Sequence, residues 1–171
     1  MKISLEEQQK LEEIYQSFLH NEKILRMKEF KMHRGSNCYE HSFKVAKKAI
    51  KYAIKSRRKN INFEFILFGA ILHDYYLYDW RKDKSQLKGH TKNHPKIALT
   101  NAIKDFGINK EVEHIIKSHM WPLNTKDYPT SREAKLVSIS DKVVSLCESL
   151  TSISYKNKHR DKYLGYISTL F

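Results

Sequence analysis

The sequence predicts an all-α protein, a bundle of helices, on three observations. Only 5 Gly and 3 Pro interrupt 171 residues. Apolar residues recur at helical spacing along nearly the whole chain, and no run alternates as a half-buried strand would. Residues 4–19 and 22–31 are expected to form two amphipathic helices that break near His20-Asn21. Gly35-Ser36-Asn37 reads as a turn, and Asn37 with Glu40 three residues on suits a helix start. From there Tyr39, Phe43, Ala46, Ile50 and Ala53 keep helical spacing to about Arg58. Residues 62–74 form a helix apolar on almost every side, which must be buried. A polar loop over 79–93 follows, with Asp79, Lys82, Asp83, Lys84 and Gly89. Pro95 suits a first helical turn, with Ile97, Ala98, Ala102, Ile103 and Phe106 as the stripe behind it and Gly107 as the stop. Asn109 can cap the next helix, whose inner face is Val112, Ile115, Ile116 and His119. Pro122 and Pro129 bracket a loop. Thr130 and Glu133 make a capping box for a last long helix to about Ser152. The basic, aromatic tail YKNKHRDKYLGYISTLF is expected to pack as a short final helix.

The length suits one domain, divided as 1–32 (capping helices), 33–152 (core) and 153–171 (tail). With 40% hydrophobic and 30% charged residues, the composition is that of a soluble globular chain. No apolar run is long enough to span a bilayer. The acidic, amphipathic N-terminus does not read as a secretory signal, and Cys38 and Cys147 lack a disulfide-framework spacing. A cytoplasmic location is therefore expected. The formal net charge of +13 favours anionic partners: nucleic acid, phosphorylated metabolites or acidic membrane surfaces. Basic residues are scattered in pairs such as Lys47-Lys48 and Arg57-Arg58, so charge alone names no partner. Nucleic-acid binding is not favoured, because no helix-turn-helix with an exposed basic recognition helix stands out. Oligomeric state is not legible.

The informative residues are polar groups on otherwise apolar helix faces. In FGAILHDYYLYDW, residues 68–80, His73 and Asp74 close the most apolar helix of the chain. His41 precedes Val45 by four, His119 continues the stripe of Val112, Ile115 and Ile116, and Asp141 lies four after Val137 and three before Val144. His94, before Pro95, sits at a helix start rather than on a stripe. One buried histidine is ordinarily satisfied by a backbone carbonyl. Four histidines and two aspartates aimed at one interior would repel, or stay unsatisfied, without a cation to share. Imidazole and carboxylate ligands suit divalent transition ions such as Fe, Mn, Zn, Co or Ni, and six candidates suggest two ions rather than one.

The order His41, His73-Asp74, Asp141 resembles the H…HD…D signature of the HD-domain superfamily of metal-dependent phosphohydrolases. His94 and His119 match the six-ligand version found in its dinuclear members. The stretches CYEHSFKVA, ILHDYYLYDW, GHTKNHPKIAL, IIKSHMWPL and SDKVVSL look like a small bacterial subgroup, and the likeness runs from about His33 to Leu150. The resemblance implies the all-α HD bundle. It also implies one ion held by His41, His73, Asp74 and Asp141 and a second held by His94 and His119, with Asp74 bridging.

The activity so implied is cleavage of a phosphoester, in a nucleotide or small phosphorylated metabolite, by a metal-activated hydroxide. Asp74 and Asp141 would tune the charge and orient the water. Lys92, Lys96, Arg81 and Lys142 are the nearest cations in sequence for the phosphoryl oxygens, and His90 and His33 are further candidate substrate contacts. Tyr75, Tyr76, Tyr78 and Trp80 either wall a pocket and stack on a base or pack the helix end against its loop. Two rival readings remain. Some HD-domain proteins with all six positions are di-iron oxygenases, and a basic helical nucleic-acid-binding module is the non-enzymatic alternative.

Overall fold

The structure, a computed structural model, describes residues 3–32, 36–56, 60–80, 82, 89–151, 167 and 170. Its helices are α1 (Leu5–Leu19), α2 (Glu22–Leu25) running into a 3-10 turn (Arg26–Glu29), α3 (Cys38–Ser56), α4 (Phe63–Leu72), α5 (His90–Phe106), α6 (Lys110–Ser118) and α7 (Arg132–Thr151). The all-α expectation holds: among the described residues the only bridge of β type joins Lys31 to Asn37. No helix among them is long and apolar enough to cross a membrane.

Local chemistry explains where these helices begin and end. Ser4, Asn21, Asn62 and Asn109 each accept a backbone N–H of the first turn of α1, α2, α4 and α6, which satisfies donors that the helix leaves unpaired. At the start of α3, Glu40 N–H donates to Asn37 Oδ1 at 2.8 Å, the first half of a capping box, and Glu40 Oε1 accepts the Asn37 side-chain amide, Nδ2–H, at 3.2 Å. Gly107 ends α5 with φ 57°, a left-handed conformation that glycine adopts without steric cost.

Three boundaries differ from the sequence reading. The helix expected over 22–31 is α-helical only over Glu22–Leu25 and tightens into the 3-10 turn Arg26–Glu29, after which Phe30 is extended. Helix α5 begins at His90, where Gly89 O accepts the N–H groups of Lys92 and Asn93. Pro95 therefore lies inside the helix rather than in its first turn. At the start of α7 the cap is Ser131, whose Oγ accepts Ala134 N–H at 3.1 Å. Thr130 instead hydrogen-bonds His114 Nε2 through both its N–H and its hydroxyl. Glu133 accepts the Asn62 N–H at 2.9 Å, so the expected reciprocal box gives way to contacts with neighbouring segments.

The core lies where α3, α4, α6 and α7 meet. Phe43, Ala46 and Ile50 from α3 pack with Ile66, Leu67, Ala70 and Ile71 from α4, Ile115 and Ile116 from α6, and Val137 from α7, all inaccessible to solvent. Leu11, Tyr15, Phe18, Ile24 and Met27 cover this core from the N-terminal side. Ile167 is also buried, and Leu170 is partly buried against the core with its N–H donating to Ile167 O at 2.9 Å, whereas the rest of the expected tail helix lies outside the described residues.

Candidate metal centre

Five helices aim polar side chains into the centre of the bundle. Helix α3 supplies His41 and α7 supplies Asp141. Helices α4 and α6 end one residue short of His73 and His119, and Asp74 follows His73. Helix α5 supplies His94, just over one turn in. All six side chains are buried.

Each histidine turns its Nδ1 outward to an acceptor. His73 Nδ1–H donates to Ala70 O at 2.7 Å, His119 Nδ1–H to Ile116 O at 2.7 Å and His94 Nδ1–H to His90 O at 2.8 Å. His41 Nδ1–H donates to a carboxylate oxygen, Glu148 Oε2, at 2.9 Å. Carbonyl and carboxylate oxygens only accept here, so Nδ1 carries the proton and the four Nε2 atoms face the centre.

Asp74 divides these nitrogens into two sets. Its Oδ2 lies 3.2 Å from His73 Nε2 and 3.9 Å from His41 Nε2, while its Oδ1 lies 3.4 Å from His94 Nε2 and 3.8 Å from His119 Nε2. Asp141 Oδ1 joins the first set, 3.1 Å from His41 Nε2 and 3.8 Å from His73 Nε2.

The protonation states follow from these neighbours. Burial alone would lower the pKa of His41, but Asp141 and Glu148 outweigh it and hold the ring raised to about 9. His73 is likewise pulled down by burial and lifted by Asp74 and Asp141, to about 10. Asp74 and Asp141 stay ionised well below the usual carboxylate range, because the protonated rings overcome burial. The second set behaves oppositely. Burial lowers His94, and burial with the charges of His73 and His94 lowers His119 to about 3.

These rings test whether a cation fits. His94 Nε2 and His119 Nε2 lie 3.0 Å apart. With both rings neutral and both Nδ1–H groups spent on carbonyls, two lone pairs face each other. His73 Nε2 is buried with no hydrogen bond of acceptable geometry. A shared cation satisfies both defects, and imidazole nitrogen with carboxylate oxygen is a donor set for divalent transition ions. Three triads in this cluster have ligand atoms close enough to hold one ion: His41–His73–Asp74, His73–His119–Asp141 and Asp74–His94–His119.

A model of the HD domain family matches residues 38–146, more than half of the chain. The chain belongs to the HD domain family. HD domains bind divalent metals and are in general metal-dependent hydrolases, in keeping with the buried cluster. No curated protein and no solved structure is detectably similar to the chain.

The remaining residues singled out in the sequence fall in several places. Lys142 borders the centre: its Nζ donates to His119 O at 2.6 Å and to Ser138 Oγ at 3.2 Å, and lies 3.6 Å from Asp141 Oδ2. Burial lowers its pKa. Lys92 and Lys96 are exposed on α5, two positions either side of His94 and so turned about 200° from it around the helix. His90 is partly buried behind His94, its ring stacked on that of His94 with centroids 4.7 Å apart. Arg81 and His33 lie outside the described residues.

The aromatic run divides. Tyr75 and Tyr76 are core residues, with Tyr75 O–H donating to Asp105 at 2.8 Å and Tyr76 O–H to Met32 Sδ at 3.0 Å. Tyr78 bonds His90 Nδ1 at 2.8 Å, and Trp80 stacks on the same ring.

Glu148 escaped the sequence reading. It lies seven residues after Asp141, two helical turns along α7 and on the same face, and that spacing was the available signal. Ser145, four after Asp141, also went unread; its Oγ donates to Asp141 Oδ1 at 3.2 Å.

Proposed function

We propose that this HD-domain chain is a metal-dependent phosphohydrolase that cleaves a phosphoester in a nucleotide or small phosphorylated metabolite, at a centre holding two divalent ions. The observation that carries the reading is the division of Asp74, whose two oxygens face two different histidine pairs. His41, His73, Asp74 and Asp141 would hold one ion, and His94 and His119, with the other oxygen of Asp74, the second. Bound ions of this kind lower the pKa of water and neutralise charge on phosphoryl oxygens.

The protein's own groups prepare for that chemistry. The outward Nδ1–H bonds lock all four rings with Nε2 inward, so little reorganisation accompanies binding. Asp74 and Asp141, ionised throughout the neutral range, supply negative charge next to any attacking water and can accept its hydrogen bond. Lys142 sets a cation beside Asp141 at the edge of the centre, where it can meet an anionic substrate. The net charge of +13 favours approach of such a substrate.

The test is metal analysis of the purified protein, followed by phosphate release from a panel of nucleotides and small phosphoesters with added manganese. Metal-dependent release that stops with a chelator supports the reading. Two irons with substrate-dependent oxygen uptake and no phosphate release would replace it with an oxygenase. Salt-sensitive nucleic-acid binding untouched by chelators, without turnover, would replace it with a binding module.

A further inference from the structure

Three of the four central histidines are oriented by neutral backbone carbonyls, those of Ala70, His90 and Ile116. His41 alone is oriented by a charged group. Glu148 is buried and its carboxylate is fully engaged: Oε2 accepts His41 Nδ1–H at 2.9 Å and Ser36 O–H at 3.1 Å, and Oε1 accepts Lys44 Nζ at 2.8 Å. Helix α7 thus grips one imidazole from both sides, with Asp141 at Nε2 (3.1 Å) and Glu148 at Nδ1. Glu148 and Ser36 both lie outside the stretch, 38–146, that matches the family.

A carboxylate behind a histidine does more than a carbonyl. It fixes the ring, and its charge strengthens the opposite nitrogen as a donor. We propose that Glu148 is a positioning residue for His41, holding Nε2 toward the centre and making the His41 side the tighter of the two ion positions. The proposal rests on the two-ion reading above. It predicts ordered loading, the first ion on His41, His73, Asp74 and Asp141 and the second, weaker one on His94, His119 and Asp74.

A purely structural role would make Glu148 the partner of Lys44 in a salt bridge tying α7 to α3, with His41 a bystander. Three variants separate the two. Glu148→Gln keeps the shape and removes the charge, Lys44→Met removes the salt bridge and spares the His41 bond, and Glu148→Ala removes both. Chelator competition with manganese or zinc should show the first ion weakened about 10–100-fold in Glu148→Gln, with the second unchanged and Lys44→Met close to wild type. Independently, the metal-free protein should show a low-field, slowly exchanging His41 Nδ1–H signal in imidazole 1H–15N spectra. That signal should persist in Lys44→Met and move upfield, with rapid exchange, in Glu148→Ala.

Wild-type affinity in Glu148→Gln, or equal weakening in Lys44→Met, overturns the proposal, as does an unmoved signal in folded Glu148→Ala. A wild-type protein that binds no divalent ion would sink the metal reading and the loading order together. The Nδ1–H signal would still decide whether Glu148 orients the ring.

Discussion

A carboxylate has two oxygens and a neutral imidazole one free nitrogen, so Asp74 can serve two ions and no histidine can. With Oδ2 turned to His41 and His73 and Oδ1 to His94 and His119, Asp74→Ala should lose both ions and all turnover. His119→Ala should lose only the ion on the His94 side, halving the metal-to-protein ratio measured by elemental analysis; retention of both ions with full activity would refute the dinuclear assignment. A pH dependence follows at the same scale. His41 and His73, raised to about 9 and about 10, are protonated at pH 7 in the metal-free protein, and only the deprotonated ring binds metal. The apparent affinity for the first ion should therefore keep rising with pH from 6 through 9, roughly tenfold per unit for each proton displaced. An ordinary histidine pair would level off above about 6.5. Affinities that are flat above pH 7 would contradict these protonation states.

Two elements use the same device to present a ligand. Helices α4 and α6 each stop one residue before a histidine, and each histidine donates Nδ1–H to the carbonyl three residues back. The helices approach closely four residues upstream of both ligands, at Gly69 and Ile115. A Cβ on Gly69 would lie 2.9 Å from Ile115 Cβ and closer still to its Cγ2, so only glycine lets α4 and α6 pack at this distance. The imidazoles of His73 and His119, 4.8 Å between centroids, inherit their spacing from that contact. Gly69→Ala should cost about 1–3 kcal/mol by overpacking, read as a lower Tm, and should also weaken metal binding by spreading the ligands. Adding Ile115→Ala should cost less than the sum of the two single changes. Simple additivity would place the strain elsewhere.

Across the whole molecule the centre joins groups remote in sequence. His41 meets Asp141 across 100 residues and Glu148 across 107, and five helices contribute. An ion held there binds the folded chain and not the unfolded one, so it stabilises by mass action. At a hundredfold excess over Kd the gain is about 2.7 kcal/mol per ion, or roughly 5–10 °C in Tm for a chain of this size. Adding manganese or zinc to chelated protein should produce that rise, and a chelator should reverse it. A Tm indifferent to both would mean that the cluster is satisfied without metal.

The sequence by itself determined the helices, most of their caps and the inward faces, because propensity, capping and 3.6-residue periodicity are local. Asp74 and the five residues that now surround it were legible for the same reason, each being polar on an apolar face or next to one. Only the tertiary structure decided what lies across from each. It divided the oxygens of Asp74, placed Glu148 behind His41, moved Thr130 from its expected cap to His114, and set His90 behind His94. A stripe shows which way a helix faces, but a contact at 3 Å depends on the crossing angle and depth of a second helix. Those are set by close packing between distant segments, as at Gly69 and Ile115, and no local window contains both partners.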